Sequence, residues 1–273
     1  MPTIDIFPND VSRTLLIPLW ARATPCCCNP RCAYDPQAVR LFHVLRHECA
    51  AIGKAFGKYG QVACLARDFF MDEAIRGFVA AHPAGTIVDM GCGLGTAGFR
   101  SNLAAARWYD VDTPAVIRLR QRLLPALRHQ HWIAAALEDP AWLDAITVEP
   151  GAGTLFMAAG VFQYLRPDAV RKLLICMAER FPGGRLCLDA ASPVGLLGAN
   201  LFVRRTGNTG APMYFALRSP RDLEGWSPRL RLAHARPLFA AMPRKGLSLW
   251  TRTAMACLDA LGLGHCLTVD FAA

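Results

Sequence analysis

The chain has 273 residues, with 30 Lys and Arg against 21 Asp and Glu, a formal charge of +9. Apolar residues make up 53% and charged residues 19%, enough apolar surface to exclude an intrinsically disordered chain and, at this size, a small disulfide-stapled scaffold. No apolar run approaches the roughly 18 residues of a membrane span, and the first residues carry no basic flank followed by an apolar segment, so the expectation is a cytoplasmic protein with reduced thiols and no membrane partner.

Helical patterns come first. Residues 36–51 and 59–81 read as helices, the second with Leu65, Phe69, Ile75 and Phe78 on helical spacing. Pro83, Ala84 and Gly85 end it. A short β-rich run, 86–90, passes directly into Gly91-Cys92-Gly93-Leu94-Gly95. A second strand is expected at 107–111. Pro114 opens a helix to about residue 127, with Thr113 or Asp112 as its cap. Strands follow at 131–135 and 154–158. An amphipathic helix spans 167–181, with Asp168 in its first turn and Arg180 in its last. A fifth strand follows at 185–190. The tail predicts a strand at 230–235, a helix near 251–261 and a last strand at 266–271 that suits antiparallel closure. Short apolar strands alternating with helices imply a doubly wound parallel sheet covered on both faces.

The strongest chemical feature is VDMGCGLG at 88–95, followed about twenty residues on by WYDVD at 108–112. Glycines directly after a strand let backbone approach a ligand where a Cβ would collide. An acid at the end of the next strand can accept both hydroxyls of a ribose. The spacing is G-x-G-x-G, which departs from the dinucleotide fingerprint, and no phosphate-cradling P-loop motif occurs. A loop with no pyrophosphate to hold fits S-adenosylmethionine, whose adenosine carries no phosphate. An NAD(P) dehydrogenase is the weaker alternative.

Other clusters have plainer readings. Cys26, Cys27, Cys28 and Cys32 lack the second separated pair of a tetrahedral thiolate site, so no metal is expected. His129 and His131 flank a helix end and a strand start and fit cap or surface roles. Asp72 and Glu73 read as solvated. Met71, Met90 and Met157 read as core. Arg118, Arg120, Arg122 and Arg128 read as the polar side of an amphipathic surface helix, and no aromatic-interleaved basic stretch supports nucleic-acid binding.

VDMGCGLGTAGFR, WYDVDTPAVIRLRQRLLP and FMAAGVFQYL together resemble the leucine carboxyl methyltransferase family, closest to its bacterial branch of polyketide O-methyltransferases. CLARDFFMDEAIRGF at 64–78 is similar to the family's carboxylate-binding helix, LLIPLWARA at 15–23 and YDPQAVRL at 34–41 to its N-terminal lid, and FALRSPRDLEGW at 215–226 to a segment of the bacterial branch. The resemblance implies a Rossmann-like seven-stranded α/β sheet, mostly parallel with an antiparallel last strand. It implies a helical lid and helical segment over 1–82 and a core with substrate-side additions over 83–273, as one structural domain.

The resemblance also implies site roles. Arg67 would pair with the cofactor carboxylate. Gly91 and Gly93, with Asp89 and Cys92, would line the methionine and ribose. Asp112, with Val111, would hold the ribose hydroxyls. Leu137 and Glu138, with Asp139 beside them, would frame the adenine, and Ala159 would face the same site. Arg22, Tyr164 and Arg204, with Arg205 beside it, are the acceptor-side candidates. No catalytic residue beyond positioning is assigned, apart from Tyr164 as a candidate.

The sequence departs from the family pattern at Gly95 and Ala97, where the pattern has Asp and Arg, and at Ala159, where it has Glu. The implied function is S-adenosylmethionine-dependent O-methylation of a small molecule, a carboxylate ahead of a phenol, in a chain compatible with a homodimer. A SAM-binding protein with impaired catalysis and an RNA methyltransferase are the alternatives.

Overall fold

The fold was read from a computed structural model, which describes residues 9–24, 35–49, 52–101, 103 and 105–272. The N-terminal helices are α1 (Asp10–Arg13), α2 (Leu16–Ala23), α3 (Pro36–Val44) and α4 (Arg46–Cys49). Asn9 caps α1 in a reciprocal capping box with Ser12, and the Asp35 side chain accepts from the Ala38 N–H at the start of α3. The long α5 (Ile52–Ala81) is interrupted at Gly57, whose φ of 66° turns the chain inside the helix. The expected helix at 59–81 is therefore its larger part.

Next come β1 (Thr86–Met90), the short α6 (Ala97–Arg100), β2 (Arg107–Asp112), α7 (Pro114–Leu123), β3 (Gln130–Ala134) and β4 (Thr154–Ala158). The second half holds α8 (Pro167–Arg180), β5 (Arg185–Ala191), α9 (Pro193–Arg205), β6 (Leu230–Pro237), α10 (Leu249–Ala260) and β7 (Gly264–Phe271). Single 3-10 turns lie at Pro140–Ala145, Phe162–Tyr164 and Pro220–Trp226. Helix α7 stops four residues short of expectation because Leu124 precedes Pro125 and is extended (φ −112°, ψ 142°). The sequence reading missed α9 although Ser192 caps it and Pro193 stands in its first turn.

Among the described residues the strands form one seven-stranded sheet in the order β3-β2-β1-β4-β5-β7-β6. Strands β1 to β5 pair in parallel, and β7 pairs antiparallel with both β5 and β6. One face is packed by α5, where Phe70, Met71 and Ile75 meet Ile87, Leu155 and Cys187. The other is packed by α8, where Val170, Leu173 and Met177 meet Val88, Phe156 and Leu186. Both faces being covered suits the apolar run of the central strand β4, Thr154–Ala158, buried throughout. The carboxyl ends of β1, β2, β4 and β5 therefore open at one edge of the sheet, the position at which doubly wound sheets bind ligands. No described helix is long and apolar enough to cross a membrane.

Candidate active site

The glycine loop is fixed by its neighbours rather than by its own side chains. The Gly91 and Cys92 N–H groups donate to the Val111 carbonyl (2.8 and 3.2 Å). The Gly93 N–H donates to Asp112 Oδ2 (2.9 Å) and the Thr113 N–H to Asp112 Oδ1 (2.7 Å). Gly91 has φ 62°, and a Cβ there would stand 2.2 Å from Val161 Cγ2; at Gly93, φ 48°, it would stand 2.5 Å from Leu15 Cδ2. Only glycine fits either position. Val111 thus serves the loop through its backbone, while its side chain lies in the core.

Arg120 lies beneath this loop. It was expected on a surface face, but the structure buries it to 2% exposure, paired with the fully buried Asp110 at 2.9 Å. Its guanidinium also donates to the Gly93 carbonyl (2.9 Å) and the Gly95 carbonyl (2.7 Å). Asp110 further accepts from Trp108 Nε1 (2.9 Å) and from the Gln130 amide. The physical reason is the partner: an aspartate inside a central strand needs a buried cation, and α7 supplies it.

Arg67 projects from α5 toward the carboxyl ends of β4 and β5. Its Nη1 lies 3.5 Å from Asp189 Oδ2, and its Nη2 donates to Cys64 Sγ at 3.4 Å. Asp189, at 6% exposure, accepts from the Gly160 N–H at Oδ1 (2.6 Å) and from Gln163 Nε2 at Oδ2 (2.7 Å). The Gln163 Oε1 atom is buried without a partner. Asp189 and Gln163 escaped the sequence reading, although Asp189 lies near the carboxyl end of β5 as Asp112 ends β2.

A second charged network closes the N-terminal side. Arg22, 5% exposed, donates to the Leu94 carbonyl (3.0 Å) and lies 3.5 Å from Asp68 and 3.8 Å from Asp35. Arg100 bridges Asp35 (2.6 Å) and Asp72 (2.8 Å), and Thr96 donates to Asp35. Burial pushes the Asp35 carboxyl up, but Arg100, the Thr96 hydroxyl, Arg22 and the Ala38 N–H together outweigh it and hold the group below its usual range. Asp72 and Glu73 are not simply solvated, as expected, because Arg100 and Arg236 reach them from outside α5.

These groups surround one cavity of about 580 Å³. Arg67, Asp89, Gly91, Cys92, Gly93, Asp112, Leu137, Glu138, Ala159, Arg22 and Tyr164 all line it, so the structure brings most of the sequence candidates together. Arg204 is not among the lining residues. It is exposed on α9, because the helix turns Gly195, Gly198, Ala199 and Phe202 inward. The far wall is aromatic: Tyr59 stands 5.7 Å from Phe202 and 5.9 Å from Phe239, and Phe56 stands 6.0 Å from Phe202. Residues of α1 and α2 (Val11, Ser12, Pro18) complete the lining, and Cys26, Cys27, Cys28 and Cys32 lie outside the described residues. Among the described residues, no three His, Cys, Asp or Glu side chains are grouped to hold a metal ion.

Burial raises several groups here. Asp89 is pushed up to about 7, by burial first and by the Asp110 charge second, with Arg120 opposing. Burial also raises Asp112, against the Gly93 and Thr113 N–H groups that lower it. Burial raises the Tyr164 phenol, against the Thr14 hydrogen bond and Arg67. The thiols of Cys64 and Cys92 are raised by burial as well.

The family pattern of leucine carboxyl methyltransferase matches residues 22–178. The chain is 30% identical over 268 residues to the tetracenomycin polyketide synthesis O-methyltransferase TcmP of Streptomyces glaucescens, covering 93% of this chain and 94% of that protein. Among solved structures it is similar to a candidate methyltransferase from Thermobifida fusca, at 16% identity and TM-score 0.64, covering 100% and 99% of the two chains. It is also similar to a DUF574 family protein from Streptomyces avermitilis, at 16% identity and TM-score 0.64, covering 94% and 97%. The two structural likenesses speak to the fold.

Proposed function

The chain belongs to the leucine carboxyl methyltransferase family, a family of S-adenosylmethionine-dependent methyltransferases, and on that footing we propose that it methylates a carboxylate oxygen of a small polyketide-like acid. The observation that carries the reading is the single cavity in which the glycine loop, Asp112 and Arg67 meet an apolar, aromatic far wall. The residues present fit the cofactor on two structural grounds. Gly91 and Gly93 line the cavity in left-handed backbone that keeps side chains out of the loop, and Gln163, which lines the same cavity, has a buried Oε1 without a partner.

In this reading Asp112 holds the ribose hydroxyls, and Leu137 and Glu138 frame the adenine. The guanidinium of Arg67, fixed in charge and forked in shape, takes the carboxylate of the amino-acid end. Asp89, Cys92, the Val111 backbone and Ala159 complete the same pocket. Bound S-adenosylmethionine supplies a methyl group on a sulfonium, open to in-line displacement by an oxygen nucleophile. The protein's contribution is orientation and exclusion of water. Phe56, Tyr59, Phe202 and Phe239 offer flat apolar walls against which an acceptor with ring or polyene character would lie. Arg22 and Tyr164 stand on the acceptor side. The raised phenol of Tyr164 stays neutral near pH 7, so it can donate a hydrogen bond and cannot take a proton. A carboxylate acceptor needs no base, which is why it is preferred to a phenol. The relative TcmP is a polyketide synthesis O-methyltransferase, which supports the acceptor class.

The test is calorimetric titration with S-adenosylmethionine and S-adenosylhomocysteine, with NAD as control, on wild type, Arg67→Ala and Asp112→Ala. It is followed by a screen of polyketide and aromatic acids. Micromolar binding weakened by both substitutions, and a base-labile methyl ester as product, is the expected result. Absence of binding to either adenosyl ligand, or a base-stable ether formed only from phenols, would overturn it.

A further inference from the structure

The family pattern has a glutamate where this chain has Ala159, yet another carboxylate is held by the residue after that position. Strands β4 and β5 pair Ala158 with Leu188; Ala159 is the first residue past β4, and Gly160 after it donates to Asp189, the residue that follows Leu188 on β5. Asp189 is 94% buried by its 6% exposure and lines the cavity. Its oxygens are held by the Gly160 N–H and the Gln163 amide. Gln163 is equally confined, at 6% exposure, with Nε2 committed to Asp189 and Oε1 left unpaired. A buried amide oxygen without a donor costs free energy unless a ligand satisfies it.

The charges around that atom define the ligand. Arg67 approaches Gly160, whose N–H holds Asp189, so closely that a Cβ there would stand 2.6 Å from its Nη1. At 3.5 Å its contact with Asp189 is an ion pair longer than a hydrogen bond. A cation, an anion and an orphaned acceptor side by side complement a zwitterion: the ligand carboxylate answers Arg67, and the ligand ammonium answers Asp189 and Gln163 Oε1. Neither a plain carboxylic acid nor a neutral sugar would satisfy all three groups.

We infer that Gln163, braced by Asp189, is the receptor for the ammonium group of an α-amino-acid ligand, here the amino-acid end of the cofactor. The inference rests on the cofactor reading given above. It predicts discrimination that depends on the amino group alone.

Three ligands separate the possibilities in titration calorimetry: S-adenosylhomocysteine, its desamino analogue carrying 4-mercaptobutyrate, and methylthioadenosine, which lacks the amino-acid end. Wild type should bind the homocysteine compound at least about tenfold more tightly than the desamino analogue, the scale of a hydrogen bond to a charged group. Gln163→Met should remove most of that difference while leaving affinity for the desamino analogue and methylthioadenosine unchanged. Asp112→Ala should weaken all three alike. Equal wild-type affinity for the first two ligands overturns the inference whatever the variant does. So does an equal loss of both in Gln163→Met, which would mark Gln163 as a packing residue only. If wild type binds none of the three, the cofactor reading itself falls and this inference with it.

Discussion

Replacing Arg120 by Met tests whether the glycine loop is anchored by a buried ion pair. In the native state Arg120 is 2% exposed and Asp110 is fully buried. The substitution keeps a long apolar stem but leaves the Asp110 carboxylate with only the Trp108 and Gln130 donors and no counter-charge. It also strips the donor from the Gly93 and Gly95 carbonyls. Breaking one side of a buried pair costs about 3–5 kcal/mol, and for a chain of this size each kcal/mol moves Tm by about 2–4 °C. The expected fall in Tm is therefore about 6–20 °C, read by circular dichroism with a urea titration confirming an unchanged m-value. Adding Asp110→Asn should recover part of the loss, because the second change removes the stranded charge. A fall of less than about 2 °C, or strict additivity of the two substitutions, would refute the anchoring role.

Three further outcomes follow from the same site. Asp89 holds a proton in the native state up to about pH 7, where the unfolded side chain releases it near 3.8, so native stability declines as pH rises between those values. Asp89→Asn should come closest to wild type near pH 4 and exceed it in Tm by a margin that widens up to about pH 7; parallel curves would remove the argument. Gly91→Ala must place a Cβ 2.2 Å from Val161 in a left-handed backbone, a strain of about 1–3 kcal/mol, and should lower both Tm and affinity for S-adenosylhomocysteine. Gly91→Ala in a Val161→Ala background should regain stability if the clash is the cause. Arg100→Met removes the partner that holds Asp35 below its usual range, so stability now present above the ordinary carboxylate pKa and lost on acidification should shrink, flattening the acid limb of a Tm–pH series.

Much of the site was legible because its chemistry lies in backbone conformation and strand ends. The run from Val88 to Gly95 and the acid at Asp112 fall where a parallel sheet puts them, and prolines at 114 and 167 open helices α7 and α8. Arg120 was misread although its position carried the signal: with Val116, Ile117 and Leu124 it lies on the buried stripe of its helix, as an outward arginine would not. The charge of Asp110 inside β2 pointed to the same partner. Asp189 and Gln163 were harder to find, because they are linked to Arg67 and Gly160 only through three-dimensional contacts.

The position of β7 bears on how the chain is made. It is the last strand in sequence but the next to last in the sheet, seated between β5 and β6. Among the described residues β6 pairs in the sheet only with β7, so on the ribosome it waits for its strand partner until residues 264–271 emerge, and the outer edge of β5 waits with it. Nascent chains would then carry an open, apolar sheet edge late into synthesis, the state in which chaperones are needed and aggregation begins. A chain stopped before residue 264 would lose two strands rather than one, and proteolysis should remove it although its glycine loop, Asp112 and Arg67 had all been made.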